Sequence, residues 1–466
     1  MGGSTAIRSL PVPLSGMPNT NCEICMERKQ WKKERFCWYG DRLLNVRSSQ
    51  DQGLKIIFMQ RKGSILSKGL LLFGYLTVNA IHGNGQGSLA KDSLPPVETK
   101  SGFANYKPAF AGQTRIAGAK TNTPYKVEKI ANKLGDPFAI VAMPDGRLMV
   151  TLKSGTMEIH DKNGQLVKKI TGLPEVVYAG QGGLLDVAFD PGFPSNKIIY
   201  WSYSEKFQSG SVTAVAKGKL NEAEGKVDNI TVIFRATPAT RGNLQFGSRL
   251  VFDKNGDLFV SIGEKFAPDV RVQAQELNSY LGKIIRITTA GRPAAGNPFA
   301  SQASAKPEII SYGHRNPEGL DIDPATGELW EAEFGPHGGD EINLIRPGKN
   351  YGWPVITYGL EYSNDKVGEG IQQKAGMEQP VYYWDPVVSP SGICFYKGTA
   401  IPEWKNNLFV ACLSGQHVDR LMIRNNRVVG EERLLADKKQ RFRDVAYSNN
   451  VLYAITDDGD IYRVKP

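Results

Sequence analysis

Arg249-Leu-Val-Phe252, Asp253-Lys-Asn-Gly256 and Leu258-Phe-Val-Ser261 follow one another almost without a break. Two short runs of apolar residues in alternation flank a turn. The Asp and Asn of that turn can hydrogen-bond their own backbone, and its Gly can take a left-handed conformation, so the segment predicts an antiparallel hairpin. The unit returns along the chain. Ala139–Met143 and Arg147–Thr151 flank Pro144-Asp145-Gly146, and Leu185–Phe189 and Ile198–Trp201 flank Asp190-Pro191-Gly192. Gly319–Ile322 and Leu329–Ala332 flank Asp323-Pro324; a looser copy runs from Ile393–Tyr396 to Leu408–Ala411, and a last one joins Val445–Tyr447 to Leu452–Ile455 through Asn449-Asn450. Six copies of one hairpin predict an all-β fold, a six-bladed β-propeller of four-stranded antiparallel blades, with roughly 60 residues per blade. Two packed β-sandwiches would share the strand signal but would not explain the repeat.

Composition agrees with this reading. A chain of 466 residues that is 41% hydrophobic and 22% charged can bury a large core, and 50 Gly with 27 Pro favour many short strands over long helices. The net charge of +10 is not gathered into runs of Lys and Arg interleaved with aromatics, so nucleic acid is not an expected partner. Cys22-x-x-Cys25 lacks the second pair or histidine of a zinc site. Cys394 and Cys412 are compatible either with a bridge in an oxidising compartment or with two buried thiols.

The N-terminal region reads as an address. Met59-Gln-Arg-Lys-Gly-Ser-Ile-Leu-Ser-Lys68 is basic, Gly69–Val78 is an apolar run, and Asn79-Ala80 is a small-residue exit. This is the pattern of a secretory signal peptide over 59–82, and the run is short for a membrane span. Met59 is then the expected start, with 1–58 a spurious extension, 83–110 a flexible linker and 111–466 the propeller. The expected location is secreted or periplasmic, with no stable membrane insertion once the signal is removed.

Several polar, glycine-rich stretches are unsuited to core strands and read as parts of one site. They are Gly180-Gln-Gly-Gly-Leu-Leu-Asp-Val187, Ser311-Tyr-Gly-His-Arg-Asn-Pro317 and Glu333-Phe-Gly-Pro-His-Gly-Gly-Asp-Glu-Ile-Asn343; Arg441-Phe-Arg-Asp-Val445, which has no glycine and reads as a strand, joins them. In this order they resemble the signature of the soluble, pyrroloquinoline quinone (PQQ)-dependent aldose sugar dehydrogenases of the glucose/sorbosone dehydrogenase family, over roughly residues 110–464. The resemblance implies PQQ held flat over the propeller tunnel and a Ca2+ ion bridging cofactor and protein. It also implies oxidation of an aldose at C1 to the lactone, with electrons passed to an external acceptor. PQQ carries three carboxylates and needs fixed cations. Arg441 and Arg443 share one face of a strand and match the family's cofactor contacts, as do Arg315 and Asn316, and Trp384 resembles the pocket's aromatic wall. Gly335 and Pro336 match the segment whose carbonyls hold calcium; Asp340 and Glu341 are expected to order that loop or to bind a second ion. Gln181 matches a sugar contact, and Glu264 matches the carboxylate that orients the catalytic histidine.

The departure that bears on catalysis is at position 245. In Gly242-Asn-Leu-Gln-Phe-Gly-Ser-Arg-Leu250, Gln245 stands where the family has its catalytic histidine. A carboxamide has no pKa near neutrality and cannot take up the hydroxyl proton, although its carbonyl oxygen can accept a hydrogen bond from the sugar. His337, where the family more often has Arg, or Glu264 would have to act as base; the alternative is a catalytically lapsed propeller that binds PQQ or sugar. His314, His160 and His417 are expected to be satisfied structural histidines.

Overall fold

The computed structural model describes residues 94–466 and, within the preceding segment, four strands, Cys25–Met26, Glu34–Tyr39, Arg42–Arg47 and Lys55–Met59, that pair antiparallel in that order. Met1–Leu89 and Ala90–Pro466 are separate compact units. Most of 1–58, the expected signal peptide and the first part of the expected linker lie outside the described residues.

The second unit is built from six sheets of four antiparallel strands each, five of them in chain order. Blade one holds Pro137–Ala142, Leu148–Leu152, Thr156–His160 and Leu166–Ile170. Blade two holds Leu184–Phe189, Ile198–Phe207, Gly210–Asn221 and Lys226–Arg235. Blade three has Gly247–Phe252, Leu258–Ile262, Lys283–Ile287 and Ile309–Tyr312, and blade four has Pro317–Ile322, Leu329–Glu333, Asp340–Leu344 and Tyr382–Trp384. Blade five consists of Pro390–Phe395, Leu408–Cys412, His417–Arg424 and Arg427–Leu434. Blade six takes Phe442–Ser448, Val451–Thr456 and Ile461–Lys465 from the C-terminus and its outer strand, Lys126–Ala131, from the start of the unit. That pairing closes the ring, so neither end blade is left with an open edge. The six repeated hairpins of the sequence are the inner two strands of the six blades. Each innermost strand packs against its neighbours, and together they form a closed ring. The propeller expectation is met.

Large apolar side chains fill the spaces between blades. Trp201, Trp330 and Trp404 are fully buried. All six innermost strands carry a bulge just after their first pair, where the register shifts at Pro137/Ala139, Leu184/Val187, Gly247/Leu250, Pro317/Gly319, Pro390/Ile393 and Phe442/Asp444. A bulge re-aims the side chain it contains. The residues so displaced include Asp186, Arg249, Glu318 and Arg443, and these are the polar groups that meet at the centre.

Residues 94–110 differ from a flexible linker. Asp385 accepts the backbone N–H groups of Phe103, Ala104 and Asn105 at 2.6, 3.0 and 3.1 Å, and Glu98 pairs with Arg433 at 2.9 Å. Three donors converging on one carboxylate fix the segment against the propeller. Among the described residues no helix is long and apolar enough to cross a membrane.

Candidate active site

Hydrogen bonds join most of the sequence-predicted residues around the centre of the ring. Gln181 Oε1 accepts the backbone N–H of Gln245 at 2.6 Å. Two residues on, Gly247 N–H donates to Asn316 Oδ1 at 3.0 Å, and Asn316 Nδ2 donates to Glu318 Oε1 at 3.0 Å. Glu318 Oε2 takes Arg443 Nη1 at 2.9 Å; Arg443 Nε and Arg441 Nε then share Asp457, each at 2.8 Å. The sharing confirms that Arg441 and Arg443 face the same way. Arg443 is largely buried, whereas half of the Arg441 side chain is exposed.

Beneath this chain lies a buried ionic lock. Arg249 Nη1 is 2.9 Å from Asp444 Oδ2 and 3.5 Å from Asp186 Oδ1, while its Nε donates to the Glu318 carbonyl at 2.6 Å. Asp444 also takes the N–H groups of Ile140 and Val445, and Asp186 those of Leu250 and Val187. A Cβ on Gly392 would collide with Asp444, so only glycine lets blade five approach. Sequence reasoning gave no role to Arg249, Asp186, Glu318, Asp444 or Asp457. Their signal was present in Gly-Ser-Arg and Asn-Pro-Glu, but it concerned the bulges and not the ligand.

Around Gln245 the backbone is constrained. Its φ is +50°, in the left-handed region, and Gly263 lies so close that a Cβ there would strike the Gln245 carbonyl and Asn316 Oδ1. Gln245 is 4% exposed and its Oε1 has no protein partner. Next to it, Glu264 is buried; burial pushes its carboxyl up to about 7, against the opposing pull of Arg315 and the N–H of Phe266 at 3.0 Å. Lys265, which sequence reasoning missed, is equally buried, and burial pushes its ammonium down to about 7. Its Nζ lies 3.0 Å from the centre of the Phe246 ring and 3.4 Å from Ser211 Oγ.

Arg315 is held between the rings of Phe266 and Trp353 at 5.8 and 5.2 Å, and its Nη1 donates to the carbonyl of Gly335 at 2.6 Å. Its buried Nε has no partner. Asp340 holds the loop that follows: Oδ1 accepts Gly335 N–H at 2.8 Å, and Oδ2 accepts Val388 and Ser389 N–H at 2.8 and 2.6 Å. Both oxygens are thereby committed to ordering the loop. Glu341 joins Glu331 and Glu333 around Asn343 Nδ2, which donates to all three at 3.0–3.2 Å. A cavity of about 10 Å³ lies here, lined by Arg315, Glu333, Gly335, Glu341 and Tyr351 among others.

Two predicted residues stand apart from the hydrogen-bonded chain. His337 bonds Asn364 Oδ1 at 3.0 Å and packs on Phe103 with ring centres 3.8 Å apart. Trp384 is on the outer strand of blade four, buried between blades, and its indole N–H reaches Glu431 at 3.3 Å. His314 is structural, set between Glu333 and Ser311 and stacked on Tyr351. His160 is likewise satisfied by Glu158 and the Gly164 carbonyl.

Known proteins resemble this chain in sequence and fold. The chain is 39% identical over 346 residues to the aldose sugar dehydrogenase YliI of Escherichia coli, covering 73% of this chain and 92% of the relative. Quinoprotein glucose dehydrogenase B of Acinetobacter calcoaceticus is 27% identical, covering 74% and 87%. The PQQ-bound aldose sugar dehydrogenase of Streptomyces coelicolor superposes with a TM-score of 0.62 at 26% identity, covering 74% of this chain and 99% of that one. The sequence profile of the family described as "Glucose / Sorbosone dehydrogenase" matches residues 134–463, and with it the chain belongs to the glucose/sorbosone dehydrogenase family.

Proposed function

We propose that this protein is a PQQ- and calcium-dependent aldose dehydrogenase whose proton acceptor is not the histidine usual at position 245. The observation that carries the reading is the hydrogen-bonded chain from Gln181 through Gln245, Asn316, Glu318 and Arg443 to Arg441, which puts the cofactor-type and sugar-type residues in one place. The residues present fit the absent groups. Arg315 keeps a buried N–H free, as an anion requires, and the carbonyl of Gly335 is a hard oxygen of the kind calcium takes. That carbonyl now accepts from Arg315, so a cation there would release Nη1 toward a ligand carboxylate. Pro336 is the second carbonyl in the assignment, and Glu341 is available to a further ion.

When bound, PQQ supplies the quinone that accepts a hydride from the sugar C1. The chain's own residues supply orientation and the proton's destination. Gln245 Oε1, buried and unpartnered, accepts the hydrogen bond of the C1 hydroxyl. Glu264, whose carboxyl burial pushes up to about 7, can take up a proton near neutrality, as a general base requires, whereas Lys265 Nζ is turned onto Phe246 and Ser211. His337, engaged with Asn364 and Phe103, shapes the rim. Exposed Phe266, Tyr362 and Tyr178 offer flat faces suited to a pyranose ring. Electrons leave to an external acceptor.

The test is to load the purified chain with PQQ and calcium and follow dye reduction with a panel of aldoses, beside a Gln245→His variant. Turnover by the unmodified protein supports the reading. PQQ binding without turnover, restored by the histidine, would instead establish a lapsed enzyme that binds cofactor.

A further inference from the structure

A second cluster, between blades four and five, is not used by the proposed reaction. Cys412 ends the second strand of blade five and His417 begins the third; the two are directly paired across the turn, and Asp419 lies two residues on, on the same face. One ligand atom from each lies within 4.8 Å of those of the other two, and all three residues are buried. His417 Nδ1 is 2.7 Å from the carbonyl of Gly415. A carbonyl only accepts, so the ring proton is on Nδ1 and the lone pair of neutral His417 is on Nε2. That nitrogen faces Asp419 Oδ2 at 3.2 Å, yet it makes no hydrogen bond, and Asp419 Oδ1 is also unpartnered. Two acceptors face each other in the core, and the Cys412 thiol donates to the same carboxylate oxygen at 3.7 Å.

Either a second ring proton or a metal cation between them would satisfy the two acceptors, and the spacing matches a metal. A tetrahedral Zn2+, with ligands at about 2.0 Å for N and O and about 2.3 Å for S, sets N···O and S···O edges of about 3.3 and about 3.5 Å. The distances found are 3.2 and 3.7 Å. The Gly415 carbonyl on Nδ1 is the outer partner that commonly orients a ligating histidine. Thiolate and imidazole select zinc over calcium, which takes oxygen. One cation already faces the outer side of the cluster: Arg433 Nε lies 3.8 Å from Asp419 Oδ1 and 3.6 Å from Glu431 Oε1, while its Nη2 is bound to Glu98. Tyr382 and Trp384, facing from blade four, are both engaged by Glu431.

We propose that Cys412 Sγ, His417 Nε2 and the Asp419 carboxylate bind a structural Zn2+ ion. The ion fastens the turn Leu413–Gln416, whose Leu413 and Gly415 N–H groups donate to Ser389 and Val388. Val388 and Ser389 in turn hold Asp340, so the ion supports the loop of Gly335 from below without touching it. Sequence reading treated His417 as satisfied; the orphaned Nε2 overturns that. The site does not depend on the cofactor reading.

The experiment uses the full chain without a polyhistidine tag, refolded with Co2+ in the presence of excess Ca2+. Cys22, Cys25 and Cys37 are changed to Ser in a background variant, which leaves Cys394 and Cys412 as the only thiols. The expected result is one Co2+ per chain with a thiolate-to-cobalt absorption band, displaced by Zn2+, kept in Cys394→Ser and lost in Cys412→Ser and His417→Asn. Absence of the band from the background variant overturns the proposal and leaves His417 as an imidazolium paired with Asp419. Survival of the band in His417→Asn, or its loss in a folded Cys394→Ser variant, also overturns it. If Cys412→Ser does not fold, the background, Cys394→Ser and His417→Asn measurements still decide.

Discussion

Arg443 of blade six donates to Glu318 of blade four at 2.9 Å, although 124 residues separate them along the chain, and each sits in the bulge of its own innermost strand. Arg443 therefore has a fixed geometry that Arg441, exposed and tied only to Asp457, lacks. Replacing Arg443 by Lys is expected to weaken PQQ binding at least tenfold, because an ammonium cannot hold Glu318, Asp457 and a ligand carboxylate in one plane. Arg441→Lys is expected to cost clearly less, since solvent screens its charge. Titration of the calcium-loaded protein with PQQ, followed by fluorescence quenching, measures both.

Gln245→His places an imidazole at the buried, unpartnered amide. Because Glu264 is the proposed base, turnover of the PQQ- and calcium-loaded variant is expected to exceed that of the unmodified protein only modestly; a gain of about 10²–10⁴-fold, the usual worth of a positioned general base, would show that the unmodified protein has none. Equal rates would show that Glu264 already performs the proton transfer fully.

Glu264 carries the pH dependence. As a base it must be ionised, so kcat/KM of the unmodified enzyme should rise with pH through about 7, and Glu264→Gln should lower it and flatten that limb. Stability should move the other way. A carboxyl whose folded pKa is raised contributes stability that is fully present below about 4.5 and is lost as pH rises through about 7. The melting temperature of the ligand-free protein should therefore fall over that window, and fall less in Glu264→Gln.

The Arg249–Asp444 pair is a stability determinant. Arg249→Met leaves Asp444 and Asp186 buried without their cation, which should destabilise the propeller by about 3–5 kcal/mol in urea unfolding. Asp444 keeps two backbone donors, so the variant is expected to fold.

Tyr362, 62% exposed and 6.0 Å from Phe266, is placed to stack on a sugar without reaching the reacting atoms. Tyr362→Ala should raise KM several-fold with kcat unchanged, the signature of binding lost equally from ground and transition states.

The repeat, the blade number and the polar loops that gather at the centre were legible in the sequence because they obey local rules. Alternation marks a strand, Asp-x-Asn-Gly marks a turn, and Arg-Asn-Pro or Gly-Pro-His mark loops by residue type alone. Asp385 shows where such rules stop. Nothing near Phe103 marks 94–110 as ordered, since the carboxylate that holds it arrives from about 280 residues away.

By itself the sequence determined the six-fold hairpin repeat and that position 245 lacks an imidazole. Only the tertiary structure decided which polar residues meet at the centre. Six bulges, invisible to a period-two pattern, turn Asp186, Arg249, Glu318 and Arg443 toward one another. Burial then fixes their chemistry, moving Glu264 to about 7 and leaving His417 Nε2 facing a carboxylate. Desolvation and orientation depend on neighbours in space, so a rule that reads neighbours in sequence cannot supply them.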